Sequence, residues 1–142
     1  MGLEYLLDTN ALSEPVKPTP SPDFLRRLAE HSQVLCTAAP VWHELVFGTR
    51  RLPNSRRRRE LERYLDEVVQ ASMTILPYDT QAADWHAAER ARLGALGSTP
   101  PFVDGQIAAI ARVRDLTLVT RNVSDFESFA GLAVEDWTQG HP

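Results

Sequence analysis

The chain has 142 residues, of which 43% are hydrophobic and 24% are charged, which is enough for one domain with a conventional core and argues against gross disorder. No apolar run reaches the roughly 18 residues of a membrane span. The N-terminus lacks a signal-peptide layout, and the single cysteine excludes an internal disulfide, so we expect a cytoplasmic protein. The net charge of −4 argues mildly against a nucleic-acid partner.

In the first part of the chain, two short apolar runs predict strands at residues 3–7 and 34–37. Between them, the sequence Ser21-Pro22-Asp23 supplies an N-cap, a first-turn proline and an early acid. Together these residues predict the start of a helix. A second helix is predicted to begin at Pro40 and to end near Gly48.

In the middle of the chain, Asn54 or Ser55 is expected to cap a long helix. Its apolar residues recur at i, i+4 and i+7, which is helical spacing, and they are Leu61, Leu65 and Val68. Residues 74–76 predict a third strand. Asp79 is expected to cap the following helix, which should end within residues 94–97 because glycines lie there.

The last part of the chain is predicted to hold a helix over residues 102–114 and a strand over 116–120. Ser124 is expected to cap a short helical turn, and residues 132–134 predict a fifth strand. Strands that alternate with helices favour a parallel sheet with helical crossovers. We therefore predict a single domain over residues 1–142, with a three-layer α/β/α fold and a mainly parallel sheet of four or five strands.

Four acidic residues are expected to meet at one edge of this sheet. Asp8 ends the first strand, Asp125 follows the fourth, Asp104 begins the helix that leads into the fourth, and Glu44 lies about one turn into the helix after the second. Open parallel sheets bind ligands outside the carboxyl ends of their strands. Each acid taken singly could be a turn, cap or solvated helix residue. The convergence of all four predicts a shared pocket.

Clustered carboxylates raise one another's proton affinity unless a cation neutralises them. With one cysteine and four histidines in the chain, oxygen ligands dominate, which favours Mg²⁺ or Mn²⁺ over Zn²⁺. Such an ion can activate water and stabilise both oxygens of a phosphodiester displacement. Neutral side chains at the two strand ends suit the orientation of water or phosphate, although turn and capping roles would also explain them. They are Thr9, Asn10, Thr120 and Asn122.

The residues around the four acids form an ordered set of motifs, which are LDTNALSE at 7–14, Glu44, FVDGQIAA at 102–109 and VTRNVSDF at 119–126. This set resembles PIN-domain ribonucleases, and within them it looks most like the VapC-type toxins of bacterial toxin–antitoxin pairs. The resemblance runs from about the first strand to the last, and therefore covers essentially the whole chain.

The resemblance implies a PIN-like fold and a Mg²⁺- or Mn²⁺-dependent endoribonuclease that arrests growth by cleaving tRNA or rRNA. It implies that Asp8, Asp104 and Asp125 are the main metal ligands and that Glu44 coordinates directly or through water. Thr9, Asn10, Thr120 and Asn122 would be supporting residues by the same resemblance. It also implies a homodimer, an RNA substrate and a cognate antitoxin that covers or enters the pocket.

Two other protein families with an Asp after the first strand fit these residues less well. A haloacid-dehalogenase-like phosphatase usually needs a second Asp two places after the first, where this chain has Asn10. A receiver domain needs a lysine near the last strands, and Lys17 is too early. A non-catalytic subunit of PIN fold and a housekeeping RNA-processing nuclease both remain open as alternatives.

Seven of the 15 basic residues are arginines within residues 50–63, and Arg56 to Arg59 form a run at the predicted start of a helix. Four cations at that end of a helix oppose the helix dipole. The run could contact RNA or an acidic antitoxin, or it could simply be a solvated helix end. Arg56 and Arg57 are candidate substrate-binding residues. Arg121 is a third, because a guanidinium beside the pocket could contact the scissile phosphate.

Several conspicuous side chains are expected to be structural. The three tryptophans, Trp42, Trp85 and Trp137, should pack in the core rather than stack on bases, since aromatic side chains dominate cores. His86 and Glu89 lie three residues apart on a predicted helix and are expected to form a structural pair at the surface.

Overall fold

A computed structural model describes residues 2–139, so the predicted domain limits at residues 1 and 142 lie outside the described residues. The strands of this part of the chain are β1 Tyr5–Leu7, β2 Leu35–Ala38, β3 Thr74–Leu76, β4 Thr117–Val119 and β5 Val134–Glu135. Its α-helices are α1 Thr9–Ser13, α2 Pro22–Glu30, α3 Ala39–Arg50, α4 Arg56–Tyr64, α5 Thr80–Ala95 and α6 Phe102–Val113.

The five strands form one parallel sheet in the order β3-β2-β1-β4-β5. In the central strand, Leu6 pairs with Cys36 of β2 on one side and with Leu118 of β4 on the other. All three side chains are fully buried, which is typical of a parallel sheet whose two faces are covered by helices. The predicted three-layer α/β/α fold with a parallel sheet is confirmed.

Three predicted helix caps are confirmed by their hydrogen bonds. Ser21 accepts from the Phe24 backbone N–H at 3.2 Å, and Ser55, rather than Asn54, accepts from Arg58 at 3.2 Å. Asp79 accepts from Ala82 at 2.9 Å. The prediction that Ser124 caps a helical turn is wrong: a 3-10 helix spans Val123–Phe126, so Ser124 lies inside it. Asn122 occupies the N-cap position there without a side-chain capping bond.

The helix after Ser55 departs from the predicted spacing at its end. Beyond α4, the chain continues as a π-helix over Leu65–Gln70. A π-helix has i→i+5 hydrogen bonds and therefore more residues per turn than an α-helix. Val69, four residues after Leu65, is fully buried, whereas Val68, the last residue of the predicted apolar spacing, is 49% exposed.

Helices α5 and α6 pack closely because the facing side chains are small. Residues 107–111 of α6 are all buried, and a Cβ on Gly105 would overlap the His86 ring, with Cδ2 2.6 Å away. The predicted surface pair of His86 and Glu89 is wrong, since both side chains lie on the buried face of α5. His86 Nδ1 instead hydrogen-bonds the Tyr78 hydroxyl at 2.8 Å.

The tryptophans pack as predicted. Trp137 is 1% exposed, and Trp42 and Trp85 are partly buried against the core. Within residues 2–139, each helix is too short or too polar to cross a membrane.

Candidate active site

Asp8 is the most buried of the four predicted acids, with 7% of its surface exposed. It follows β1 directly and serves as the N-cap of α1, where its Oδ1 accepts a hydrogen bond from the Thr9 backbone N–H at 2.8 Å. Its other oxygen, Oδ2, accepts from the Thr120 hydroxyl at 2.9 Å. The carboxylate is thus fixed from both sides at the carboxyl end of the sheet.

Thr120 is the centre of a polar network that joins the ends of β1 and β4. Its hydroxyl oxygen accepts hydrogen bonds from Asn10 Nδ2 and from the Asn122 backbone N–H, both at 3.1 Å. Asn10 Oδ1 in turn accepts from the Arg121 backbone N–H at 2.8 Å. The predicted supporting residues at these two strand ends are therefore neighbours, and Asn122 contributes its backbone rather than its side chain.

Glu44 and Thr9 join a second pair of elements at the same edge. Glu44 lies in the second turn of α3 and is exposed, and its Oε2 accepts a hydrogen bond from the Thr9 hydroxyl at 3.0 Å. Because the Thr9 backbone also binds Asp8, a single residue links the two carboxylates. Such a link positions an exposed glutamate that would otherwise sample many rotamers.

Asp104 and Asp125 complete the cluster. Asp104 stands partly buried in the first turn of α6, where an acid interacts favourably with the helix dipole. Asp125 lies exposed in the 3-10 helix after β4, and its backbone N–H donates to the Asn122 carbonyl at 3.0 Å. A hollow of about 420 Å³ is lined by both aspartates and by the nearby Pro101 and Ser128, and it gives the acids access to solvent.

Burial and neighbouring negative charges raise the pKa values of Asp8 and Asp104. Burial, followed by the negative charges of Asp8, Asp125 and Glu44, raises the pKa of Asp104 to about 6. Burial also raises the pKa of Asp8, and the charges of Glu44 and Asp125 add to this, although hydrogen bonds from Thr9 and Thr120 oppose it. The other three predicted acids therefore lie close enough to Asp104 for their charges to act on it.

The donor set fits a divalent cation by its chemistry. Four carboxylates offer oxygen ligands only, which suits Mg²⁺ or Mn²⁺, and a cation among them would lower the raised pKa values of Asp8 and Asp104. Within residues 2–139, no three His, Cys, Asp or Glu side chains are arranged so that they could hold one ion. Direct coordination of one ion by three or more of these carboxylates would therefore require a side chain to rotate, whereas two carboxylates with water could hold Mg²⁺ as they stand.

The three predicted substrate-binding arginines lie in different surroundings. The side chain of Arg56 is 89% exposed and pairs with Glu60 at 3.2 Å, outside the site. Arg57 instead donates to the Val16 carbonyl at 3.0 Å, and Arg121 is half-exposed next to the strand end. Arg57 lines the same groove as Thr9 and Glu44, and the Arg121 backbone contacts Asn10, so both arginines, but not Arg56, lie at the border of the cluster.

Sequence reasoning missed Glu14, which is 1% exposed. Its carboxylate accepts from the Ser21 backbone N–H at 2.8 Å and from Lys17 Nζ at 3.3 Å, and it lies 3.7 Å from Arg121 Nη1. Burial raises the pKa of Glu14, but these hydrogen bonds and the two cations outweigh it, so the pKa is lowered overall. One available signal was that Glu14 follows the apolar Ala11 by three residues, which places both on one helical face.

The amino-acid sequence of the chain is similar to that of known proteins over most of its length. A family model described as "PIN domain" matches residues 5–132, which include all four acids. The chain is 30% identical to the tRNA(fMet)-specific endonuclease VapC of Salmonella typhimurium over 136 residues, with 95% of this chain and 98% of the relative covered. It is 32% identical to the toxin FitB of Neisseria gonorrhoeae over 125 residues, with 85% and 89% covered.

The fold is also similar to a solved structure. One chain of FitAB bound to an IR36 DNA fragment superposes with a TM-score of 0.88 at 27% identity, and 97% of this chain and 98% of that chain are covered. The similarity therefore extends over nearly the full length of both chains.

Proposed function

The chain belongs to the PIN-domain family, and from this premise we propose that it is a metal-dependent endoribonuclease that acts as the toxin of a toxin–antitoxin pair. The family match confirms the resemblance of the motifs around the four acids. The observation that carries the proposed chemistry is the gathering of four carboxylates at one edge of the sheet, where Asp8 is held by Thr120 and Glu44 by Thr9. Burial, together with the charges of the other three acids, raises the pKa of Asp104 there to about 6. The relatives named as an endonuclease and a toxin support the same function.

In this proposal, Asp8, Glu44, Asp104 and Asp125 hold the cation, which is Mg²⁺ or Mn²⁺ by the chemistry of its ligands. When bound, the ion supplies activation of water and stabilisation of the charge that develops on the phosphodiester. The chain's own groups hold these ligands in place: the Thr120 hydroxyl binds Asp8, and the Thr9 hydroxyl binds Glu44.

The raised pKa of Asp104 makes the site sensitive to pH. With a pKa near 6, the Asp104 carboxyl is ionised at pH 7.5 and takes up a proton in weakly acidic solution. A protonated carboxyl is a poor ligand for a cation. The site should therefore be ready for a metal at neutral pH and lose its affinity as the pH falls below 6.

We propose that the substrate is RNA and that a tRNA is the first candidate to test, because relatives are named as tRNA(fMet)-specific endonucleases. A cognate antitoxin is the proposed protein partner, since the chain is similar to the toxin FitB and to a solved member of the VapBC family of toxin–antitoxin systems. Homodimer formation is likewise a proposal that rests on the family. We further propose that the whole of residues 1–142 forms one PIN domain.

The function can be tested by induced expression in a bacterial host. We expect growth arrest by the wild type and normal growth with Asp8→Asn or Asp104→Asn, each produced at equal level and folded by circular dichroism. Cleavage of RNA without growth arrest would favour a housekeeping nuclease. Equal arrest by the wild type and both variants would favour a non-catalytic interaction and contradict the proposal.

A further inference from the structure

A groove of about 320 Å³ leads away from the acidic site between α1, α3 and α4. Its lining includes Thr9 and Glu44, the hydrogen-bonded pair that belongs to the site. It also includes Lys17 and Arg57, and apolar side chains such as Leu45. One groove therefore contains a carboxylate of the site, an apolar surface and a pair of cations.

Both cations are held at the groove by the segment that follows α1. Lys17 Nζ donates to the buried carboxylate of Glu14 at 3.3 Å, and that carboxylate is itself fixed by the Ser21 backbone at 2.8 Å. Arg57 donates to the Val16 carbonyl at 3.0 Å. These contacts reduce the entropy that a long cationic side chain loses when it binds a ligand.

Arg57 has no carboxylate partner in its helix. Arg56, Arg58 and Arg63 each pair with a glutamate one turn further along α4, at 3.2 to 3.7 Å. Among residues 2–139, no carboxylate lies within 4 Å of the Arg57 guanidinium, and Arg57 is one of the residues that line the groove. Its charge is thus available for an anion from outside the chain.

The chemistry of the groove matches a single strand of nucleic acid. A net charge of −4 and an acidic site repel phosphate, so a strand can approach only where cations offset this repulsion. The apolar part gives a surface on which a sugar or base can lie, and the two cations suit a phosphate. An acidic peptide would use the cations but would gain nothing from Glu44.

We propose that this groove binds the sugar–phosphate backbone of the RNA next to the scissile bond, with Lys17 and Arg57 in contact with phosphates. The proposal rests on the nuclease function inferred above, since it names the path by which the substrate reaches that site. It assigns Lys17 and Arg57 to binding and not to the chemical step.

The test measures binding apart from cleavage. Fluorescence anisotropy gives the Kd of a fluorescein-labelled 16-nucleotide oligouridylate in EDTA at several KCl concentrations, for the wild type, Lys17→Ala, Arg57→Ala and Arg57→Lys. Arg63→Ala is the matched control, because Arg63 lies on the same helix, is 75% exposed in its side chain and pairs with Glu67. Thermal unfolding of each variant checks that the fold is retained.

We expect each alanine variant to weaken binding about tenfold and to reduce the slope of log Kd against log salt concentration by about 0.7, as for one lost phosphate contact on a single strand. Arg57→Lys should keep most of the slope because it keeps the charge, and Arg63→Ala should match the wild type. Such a result supports the groove even if the wild type fails to cleave RNA, in which case only the proposed function is lost.

Three results would overturn the proposal. The first is equal affinity of the wild type and both alanine variants, and the second is no binding of the oligouridylate by the wild type. The third is unchanged RNA binding together with weaker co-purification of a co-expressed antitoxin by Lys17→Ala and Arg57→Ala. That third outcome would assign the groove to a protein partner.

Discussion

The Thr120 hydroxyl donates a hydrogen bond of 2.9 Å to Asp8 Oδ2, and the two residues stand at the ends of the adjacent parallel strands β4 and β1. Both are buried, with 1% and 7% of their surface exposed. The same hydroxyl oxygen accepts from Asn10 and from the Asn122 backbone. One side chain therefore joins the most buried acid of the site to the loop that carries Asp125.

Removal of this hydroxyl should damage the site more than the fold. Thr120→Val keeps the shape but leaves one Asp8 oxygen without its donor, and we expect a loss of about 1 to 3 kcal/mol in the free energy of unfolding. RNA cleavage should fall by about 10- to 100-fold, as for other residues that orient a metal ligand. Thr120→Ser, which keeps the hydroxyl, should retain most activity. Wild-type cleavage by Thr120→Val would contradict this role.

Gly105, the residue after Asp104, lies directly against the His86 ring of α5. In Gly105→Ala the new methyl group would overlap the His86 ring, so we expect a loss of about 1 to 3 kcal/mol in denaturant unfolding and a lower rate of RNA cleavage. The double variant with His86→Ala removes the clash and should be less destabilised than the sum of the two single changes. Additive losses would show that this contact does not limit the approach of the helices.

The pKa of Asp104 predicts a pH-dependent stability. Its folded pKa of about 6 lies above the ordinary value of 3.8, so the protonated form stabilises the fold. This contribution is fully present below pH 3.8 and is lost as the pH rises through about 6. In EDTA, Asp104→Asn should therefore unfold like the wild type near pH 4. At pH 8 it should be more stable than the wild type by about 1 to 2 kcal/mol, less than the full shift because the carboxylate is partly exposed. A pH-independent difference would contradict this reading.

Divalent cations should stabilise the wild type through the same acids. At a concentration of 100 times the Kd, Mn²⁺ or Mg²⁺ should add about 2.7 kcal/mol to the free energy of unfolding. We expect this gain to disappear in Asp8→Asn. It should persist in Asp23→Asn, a control at an exposed acid that pairs with Arg26 on α2. Equal stabilisation of all three proteins would place the cation elsewhere.

The sequence predicted those features that depend on local patterns and on chain direction. Asp79 and Ser21 precede helices with the residue types that cap them, and their capping bonds are present. Asp8 and Asp104 meet because strand ends and returning helices share one edge of a parallel sheet. Burial of Asp8 and the raised pKa of Asp104 agree with that argument.

The features that the sequence did not predict depend on contacts between distant residues. Val69 is buried and Val68 is exposed, although the spacing from Leu61 and Leu65 allowed either residue to face the core. His86 is buried only because Gly105, 19 positions later, lets another helix lie against it. The Glu14 carboxylate binds both Lys17 and the Ser21 backbone, and these contacts depend on the path of the loop rather than on a local sequence pattern.

The central claim is that the four carboxylates form one metal-dependent nuclease site, and cleavage of tRNA by the purified chain tests it most directly. With Mn²⁺ or Mg²⁺ we expect cleavage by the wild type, and a rate at least about 100-fold lower both in EDTA and for folded Asp104→Asn. Undiminished cleavage in EDTA, or by Asp104→Asn, would contradict the claim.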